Sequence, residues 1–124
     1  MMKDKLVDKV YEILSKVIDP ELGRALVDYD LIIKDWIDVD PNNKFIIVEW
    51  FPTSPFCPLL VYISAAIYYI IKKNFPDWNV KVKLHPNVIG ANQWNELLEN
   101  TNDLEKIINE MKNKGWLKKF LPEE

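Results

Sequence analysis

The chain's only cysteine, Cys57, stands in the run Thr53-Ser54-Pro55-Phe56-Cys57-Pro58. A thiolate is at once a soft metal ligand and a nucleophile. Proline suits the first position of a helix, where its missing N–H would have had no partner, so a helix is predicted from Pro58 with Cys57 at or beside its N-cap. Unpaired N–H groups and the helix dipole favour an anion there, and such positions lower a cysteine pKa from about 8.5 to between roughly 3.5 and 7.5. Apolar burial acts the other way, and Phe56 and Leu59 supply apolar neighbours. The plainer reading makes Cys57 a small hydrophobe under a proline-rich turn.

Carboxylates form the second candidate. Asp19-Pro20-Glu21-Leu22-Gly23 is followed by Asp28 and Asp30, a set able to bind metal or move protons. The same residue types also cap helices and shape turns. His85, the only histidine, precedes Pro86. A Cys57/His85 dyad would make a thiol hydrolase, but it requires a hydrogen-bond reach that the spacing does not impose. One cysteine and one histidine exclude an internal disulfide and a closed four-ligand Cys/His zinc site within one chain. No serine elbow, P-loop or dinucleotide glycine pattern occurs.

These residues need elements to position them. Leu6, Val10, Ile13, Leu14 and Val17 recur at helical spacing, predicting a helix over residues 4–18 that ends at Asp19-Pro20. A shaped loop over 19–30 follows. The β-rich stretches 31–39 and 45–51, separated by Asp40-Pro41-Asn42-Asn43, predict an antiparallel hairpin. Pro52, Pro55 and Pro58 make the next segment a stiff crossover, and the apolar run after it predicts a helix to about Lys73. Val80, Val82 and Leu84 alternate with Lys81, Lys83 and His85, a third strand with one wet face, placed beside the hairpin. The fold class is therefore α/β (α+β): an α-β-β-α-β core, two layers, with helices on one face of a small three-stranded sheet. Residues 1–85 form this domain. Residues 86–124 are a helical extension, with Leu104, Ile107, Ile108 and Met111 as its stripe and Gly115 as a stop. Trp116, Leu117, Phe120 and Leu121 dock on the domain or on a second subunit.

The chain has 124 residues, 48% of them apolar, enough for one core without staples. Nineteen acidic against sixteen basic side chains give a formal charge of −3, so no phosphate-neutralising surface for nucleic acid is indicated. The five tryptophans read as core and interface anchors. The apolar run 59–71 would reach about 20 Å as a helix, short of a bilayer's roughly 30 Å, and the N-terminal residues lack a secretory h-region. The expectation is a cytoplasmic protein without membrane contact.

Val17-Ile18-Asp19-Pro20-Glu21-Leu22-Gly23, the Val27-Asp28 to Leu31-Ile32 stretch and Thr53-Ser54-Pro55-Phe56-Cys57-Pro58 together resemble the metal-sulfur cluster biosynthesis family. It is the family of SufT, PaaD and the cytosolic iron-sulfur targeting subunit, also called "MIP eighteen" or "domain of unknown function fifty-nine". The resemblance runs from about Leu6 to Leu84. It implies an α/β domain that assembles iron-sulfur clusters or delivers them to recipient proteins, not an enzyme. It implies a reactive cysteine at Cys57 with Asp19 and Glu21 as further metal ligands, and Thr53, Ser54 and Pro58 in support. Recipient proteins and other assembly factors are the implied partners, and the cofactor is a transient cluster.

Three departures stand out. Relatives carry Leu-Gly-Leu-Val where this chain has Tyr29-Asp30-Leu31-Ile32, and Asp tolerates the left-handed region that glycine would serve. They carry a small residue where Phe56 narrows access to the thiol. Residues 86–124 lack the cysteine cluster of PaaD-type members. Because one chain offers one thiolate, cluster binding would be transient or shared across a symmetric homodimer. The alternative is a metal-free adaptor that binds client or assembly proteins, with Cys57 structural.

Overall fold

The computed structural model describes residues 2–54, 56 and 58–124. The chain runs α1 (Met2–Leu14), β1 (Ile18–Asp19), β2 (Arg24–Ala25), β3 (Ile37–Asp40), β4 (Phe45–Trp50), α2 (Leu60–Asn74), β5 (Asn79–Leu84), α3 (Ala91–Leu98), α4 (Thr101–Asn113) and α5 (Leu117–Phe120). The main sheet has the order β3-β4-β5, with β3 antiparallel and β5 parallel to β4. Strand β4 sits between its partners because β5 returns beside it after the α2 crossover, the way a parallel pair must be joined.

Alternation decides which face each strand buries. Ile37 and Val39, Ile46, Val48 and Trp50, and Val80, Val82 and Leu84 face the helices, while Ile47, Glu49, Lys81 and Lys83 on the other face are half-buried. Helix α2 supplies Leu60, Ile63, Ala66, Ile67 and Ile71 to the same core, and α1 supplies Val10 and Leu14. A buried polar contact crosses the layers, where Trp50 Nε1 donates to Ser64 Oγ at 3.0 Å. The two-layer α-β-β-α-β architecture predicted from the pattern is the one observed.

Boundaries differ in four places. Helix α1 stops at Leu14, not residue 18, because Lys16 and Val17 donate to the carbonyls of Ile13 and Leu14 at 3.2 and 3.0 Å, a tightening that delivers Val17 to the core and Ile18 to a strand. The stretch 19–30 contains a hairpin, with Ile18 opposite Ala25 and Asp19 opposite Arg24, and then a 3₁₀ turn at Leu26–Tyr29. Leu31 and Ile32 are buried without being a strand, since the left-handed Asp30 and a second 3₁₀ turn at Lys34–Trp36 break the extended run. Helix α2 has Leu59 as its N-cap, whose carbonyl accepts the Ile63 N–H at 2.8 Å, so Pro58 precedes the cap instead of opening the helix.

Beyond Pro86 the single helical stripe resolves into three helices. Asn100 caps α4, its side chain accepting the Asp103 N–H at 3.2 Å. At the other end Trp116 N–H bonds Met111 O at 2.7 Å and Gly115 N–H bonds Lys112 O at 3.1 Å, with Gly115 at φ +71°, a Schellman stop. Leu117, Phe120 and Leu121 are buried in the same core, and Tyr62 of α2 meets the Trp116 ring edge-on at 5.8 Å.

Candidate functional site

The carboxylate loop is the turn of the β1–β2 hairpin. Asp19 is 2% exposed, and its Oδ1 accepts the Glu21 N–H at 2.9 Å while its carbonyl accepts those of Leu22 and Gly23 at 3.1 and 2.8 Å. Asp19 therefore holds the turn, and Glu21 stands exposed on its outside. Asp28 pairs with Arg24 at 3.5 Å, and Asp30 occupies the left-handed region at φ 55°. The acidic residues of 19–30 thus divide among separate tasks. No group of three or more His, Cys, Asp or Glu side chains placed to hold a metal occurs among the described residues.

The second motif leaves the carboxyl end of β4. Pro52 is buried, Thr53 exposed, and Ser54 Oγ accepts the Phe56 N–H at 3.2 Å, so Ser54 shapes the bend. Phe56 is 85% exposed, and Pro58 is exposed just before α2. Cys57 and Pro55 lie outside the described residues, and with them the predicted ionisation of the thiol, its access past Phe56 and its pairing with His85. His85 itself is half-buried, its ring 4.9 Å from Trp36 and 5.6 Å from Phe51, and its Nδ1 accepts the Asn87 N–H at 3.1 Å. A ring so packed is part of the outer sheet face.

A main-chain relay ties the two motifs together. Leu26 N–H donates to Val17 O at 3.0 Å, Leu31 N–H to Leu26 O at 3.1 Å, and Phe51 N–H to Leu31 O at 2.8 Å. Three bonds thus connect the base of the Asp19 turn to the residue before Pro52. The left-handed Asp30 lets this relay close, turning the chain so that Leu31 reaches back to Leu26.

Beyond the carboxyl ends of the parallel pair β4 and β5, Phe56 and Pro58 lie beside Ile89 and Gly90, at the location where open α/β sheets receive ligands. Phe56, Pro58, Val61, Ile89, Gly90 and Trp94, with Gln93, line an uncharged groove of about 580 Å³ there. Ile89 is 75% exposed. Sequence reasoning missed Ile89 and read Trp94 only as one of five core or interface anchors. An exposed isoleucine between Asn87 and Gly90 was the available signal, but only the fold brings it beside Phe56.

The site and fold define a small α/β domain whose two loop motifs are braced against each other at one end of the sheet. A family profile described as iron-sulfur cluster assembly protein matches residues 7–84, which spans both motifs. The MIP18 family protein galla-1 of Drosophila melanogaster is 30% identical over 114 residues, covering 88% of this chain and 51% of that protein. The chain thus spans about half the length of this relative. The MIP18 family protein FAM96A of Dictyostelium discoideum is 26% identical over 134 residues, covering 91% and 89%. The crystal structure of a domain of unknown function, DUF59, from Bacillus anthracis has a TM-score of 0.63 at 27% identity, covering 70% of this chain and 80% of that one. The chain belongs to the MIP18/DUF59 iron-sulfur cluster assembly family.

Proposed function

We propose that this protein carries or hands over iron-sulfur clusters in the cytoplasm, with the Cys57 thiolate as its own ligand to the cargo and recipient proteins and other assembly factors as partners. The family match across both motifs carries this reading. Residues 1–85 are the assembly domain, and 86–124 its helical extension. Glu21 is the accessible carboxylate for the cluster's iron, whereas Asp19 acts through the turn it holds. Thr53, Ser54 and Pro58 are the supporting residues of this site. One thiolate per chain suits cargo that must leave again, and a homodimer would offer two.

Anaerobic reconstitution with iron and sulfide tests the reading. Wild type should acquire iron and labile sulfide and mature an apo-recipient, and Cys57→Ala should do neither. Equal loading and maturation by Cys57→Ala would remove the cysteine from the mechanism. The metal-free adaptor reading is favoured by one observation, the uncharged groove with Phe56 and Ile89 standing out beside it. Normal client delivery by Cys57→Ser, with no metal on wild type, would establish that reading instead.

A further inference from the structure

On the flank formed by α2, α4 and α5 the segment Pro122-Glu123-Glu124 folds back against the protein, with Pro122 and Glu123 in one cavity wall with Ile18, Gly23 and Asp28. Leu121, 1% exposed, anchors it, and Glu124 N–H donates to Leu121 O at 3.1 Å. The Glu124 side chain is 14% exposed. Its Oε1 accepts from Tyr69 OH at 3.3 Å and from Lys73 Nζ. Glu123 reaches Lys16 at 3.6 Å. A charged carboxylate so far withdrawn from water needs such partners, and this notch supplies them.

The notch offers more than Glu124 uses. Cavities of about 350 and 480 Å³ share Tyr69, Lys73 and Lys112 in their walls. Lys112 Nζ lies over the Tyr69 ring at 4.6 Å, and Lys112 and Lys118 form no ion pair among the described residues. Lys72, Lys73, Lys112 and Lys118 thus outnumber Glu105, Glu123 and Glu124 in these walls, a local excess of positive charge in a chain whose overall charge is −3.

We infer that this notch docks an acidic peptide segment of a partner protein, with Glu123 and Glu124 as the resident occupant that the partner displaces. Nucleic acid is the poorer fit. The occupant is itself a short acidic peptide, and the Tyr69 hydroxyl and Lys73 ammonium meet a single carboxylate oxygen, with the uncharged Leu117 and Gly115 in the adjoining wall. The inference is independent of cluster transfer and stands or falls separately.

Fluorescence anisotropy with a labelled peptide copy of residues 120–124 tests it on the full chain. The Glu123→Gln/Glu124→Gln protein should bind this peptide at least about tenfold tighter than wild type, and adding Lys73→Gln should abolish the gain. Equal affinity for the two proteins, or equal binding of the peptide with both glutamates changed to glutamine, overturns the inference. Lys112→Glu leaves the Glu124 anchor in place and serves if the double variant does not fold. It should weaken competition by hexaglutamate by about tenfold at low salt, and unchanged competition overturns the proposal. Duplex DNA displacing the probe at lower charge concentration than hexaglutamate also overturns it, in favour of a nucleic-acid surface.

Discussion

Asp30 occupies φ 55° and ψ 29°, a conformation that costs most L-residues about 1–2 kcal/mol and that Asp tolerates through its short polar side chain. Asp30→Val should lose about that much in urea unfolding, while Asp30→Gly should be neutral or slightly stabilising. Equal stabilities would show that the backbone there relaxes freely. Asp19 calls for a different pair of variants, because the sequence offered its carboxylate as a metal ligand and the structure uses it as a turn acceptor. Asp19→Asn keeps an oxygen for the Glu21 N–H and removes the charge; Asp19→Ala removes both and should cost about 1 kcal/mol. Cluster loading retained in the Asn variant and lost in the Ala variant would assign Asp19 to the turn. At this scale the motifs were legible, since Asp30 stood where a glycine was expected and adopts a glycine-like angle. The contact of Trp50 with Ser64 was not legible, because residues fourteen apart meet only once β4 and α2 have packed.

Elements were readable where their signals are local. Helix α4 carries its cap, its acidic first turn with Asp103, its basic last turn with Lys112 and its Gly115 stop within its own segment. Boundaries set by tertiary partners were not readable. Val17 fits the α1 stripe yet leaves the helix, because Leu26 claims its carbonyl. Leu31 and Ile32 have strand composition yet serve as buried irregular chain between two 3₁₀ turns. The β5 edge gives the sharpest case. Asn95 of α3 accepts the Leu84 N–H at 2.7 Å and donates to the Leu84 carbonyl at 3.4 Å, imitating a further strand at that residue. Asn95→Ala should cost about 1–3 kcal/mol by leaving both groups without that partner. Asn95→Leu should be no better despite its greater apolar surface, and a stable Leu variant in a denaturant titration would show that packing, not edge pairing, holds α3.

For the whole molecule, two layers followed from element order, but the parallel placement of β5 against β4 depends on the α2 crossover and had no local signature. The layers and the later helices are also joined electrostatically through α2, and this gives the fold an alkaline limit. Tyr68 is buried, and its pKa is raised above 10.0 first by that burial and then by Glu105, to whose Oε1 its hydroxyl donates at 3.4 Å. The Lys73 pKa is raised above 10.5, chiefly by its hydrogen bond to Glu124, and that of Lys114 chiefly by Glu110. All three bind their proton more tightly folded than unfolded, so their stabilisation is complete below the unfolded values of 10.0 and 10.5 and is lost as pH rises through the higher folded ones. Asp40 runs oppositely: the Asn43 side chain and main chain hold its carboxyl below 3.8, a contribution present above that pH and lost as acid protonates it. Thermal midpoints should therefore hold across neutral pH, fall once pH passes about 10, and fall again on the acid side below about pH 4. Tyr68→Phe removes the group most deeply placed between α2 and α4, so it should flatten the alkaline fall while leaving the acid one unchanged. Identical alkaline slopes for Tyr68→Phe and wild type would locate the loss elsewhere, and Lys73→Gln would then separate the Glu124 contact from general charge repulsion.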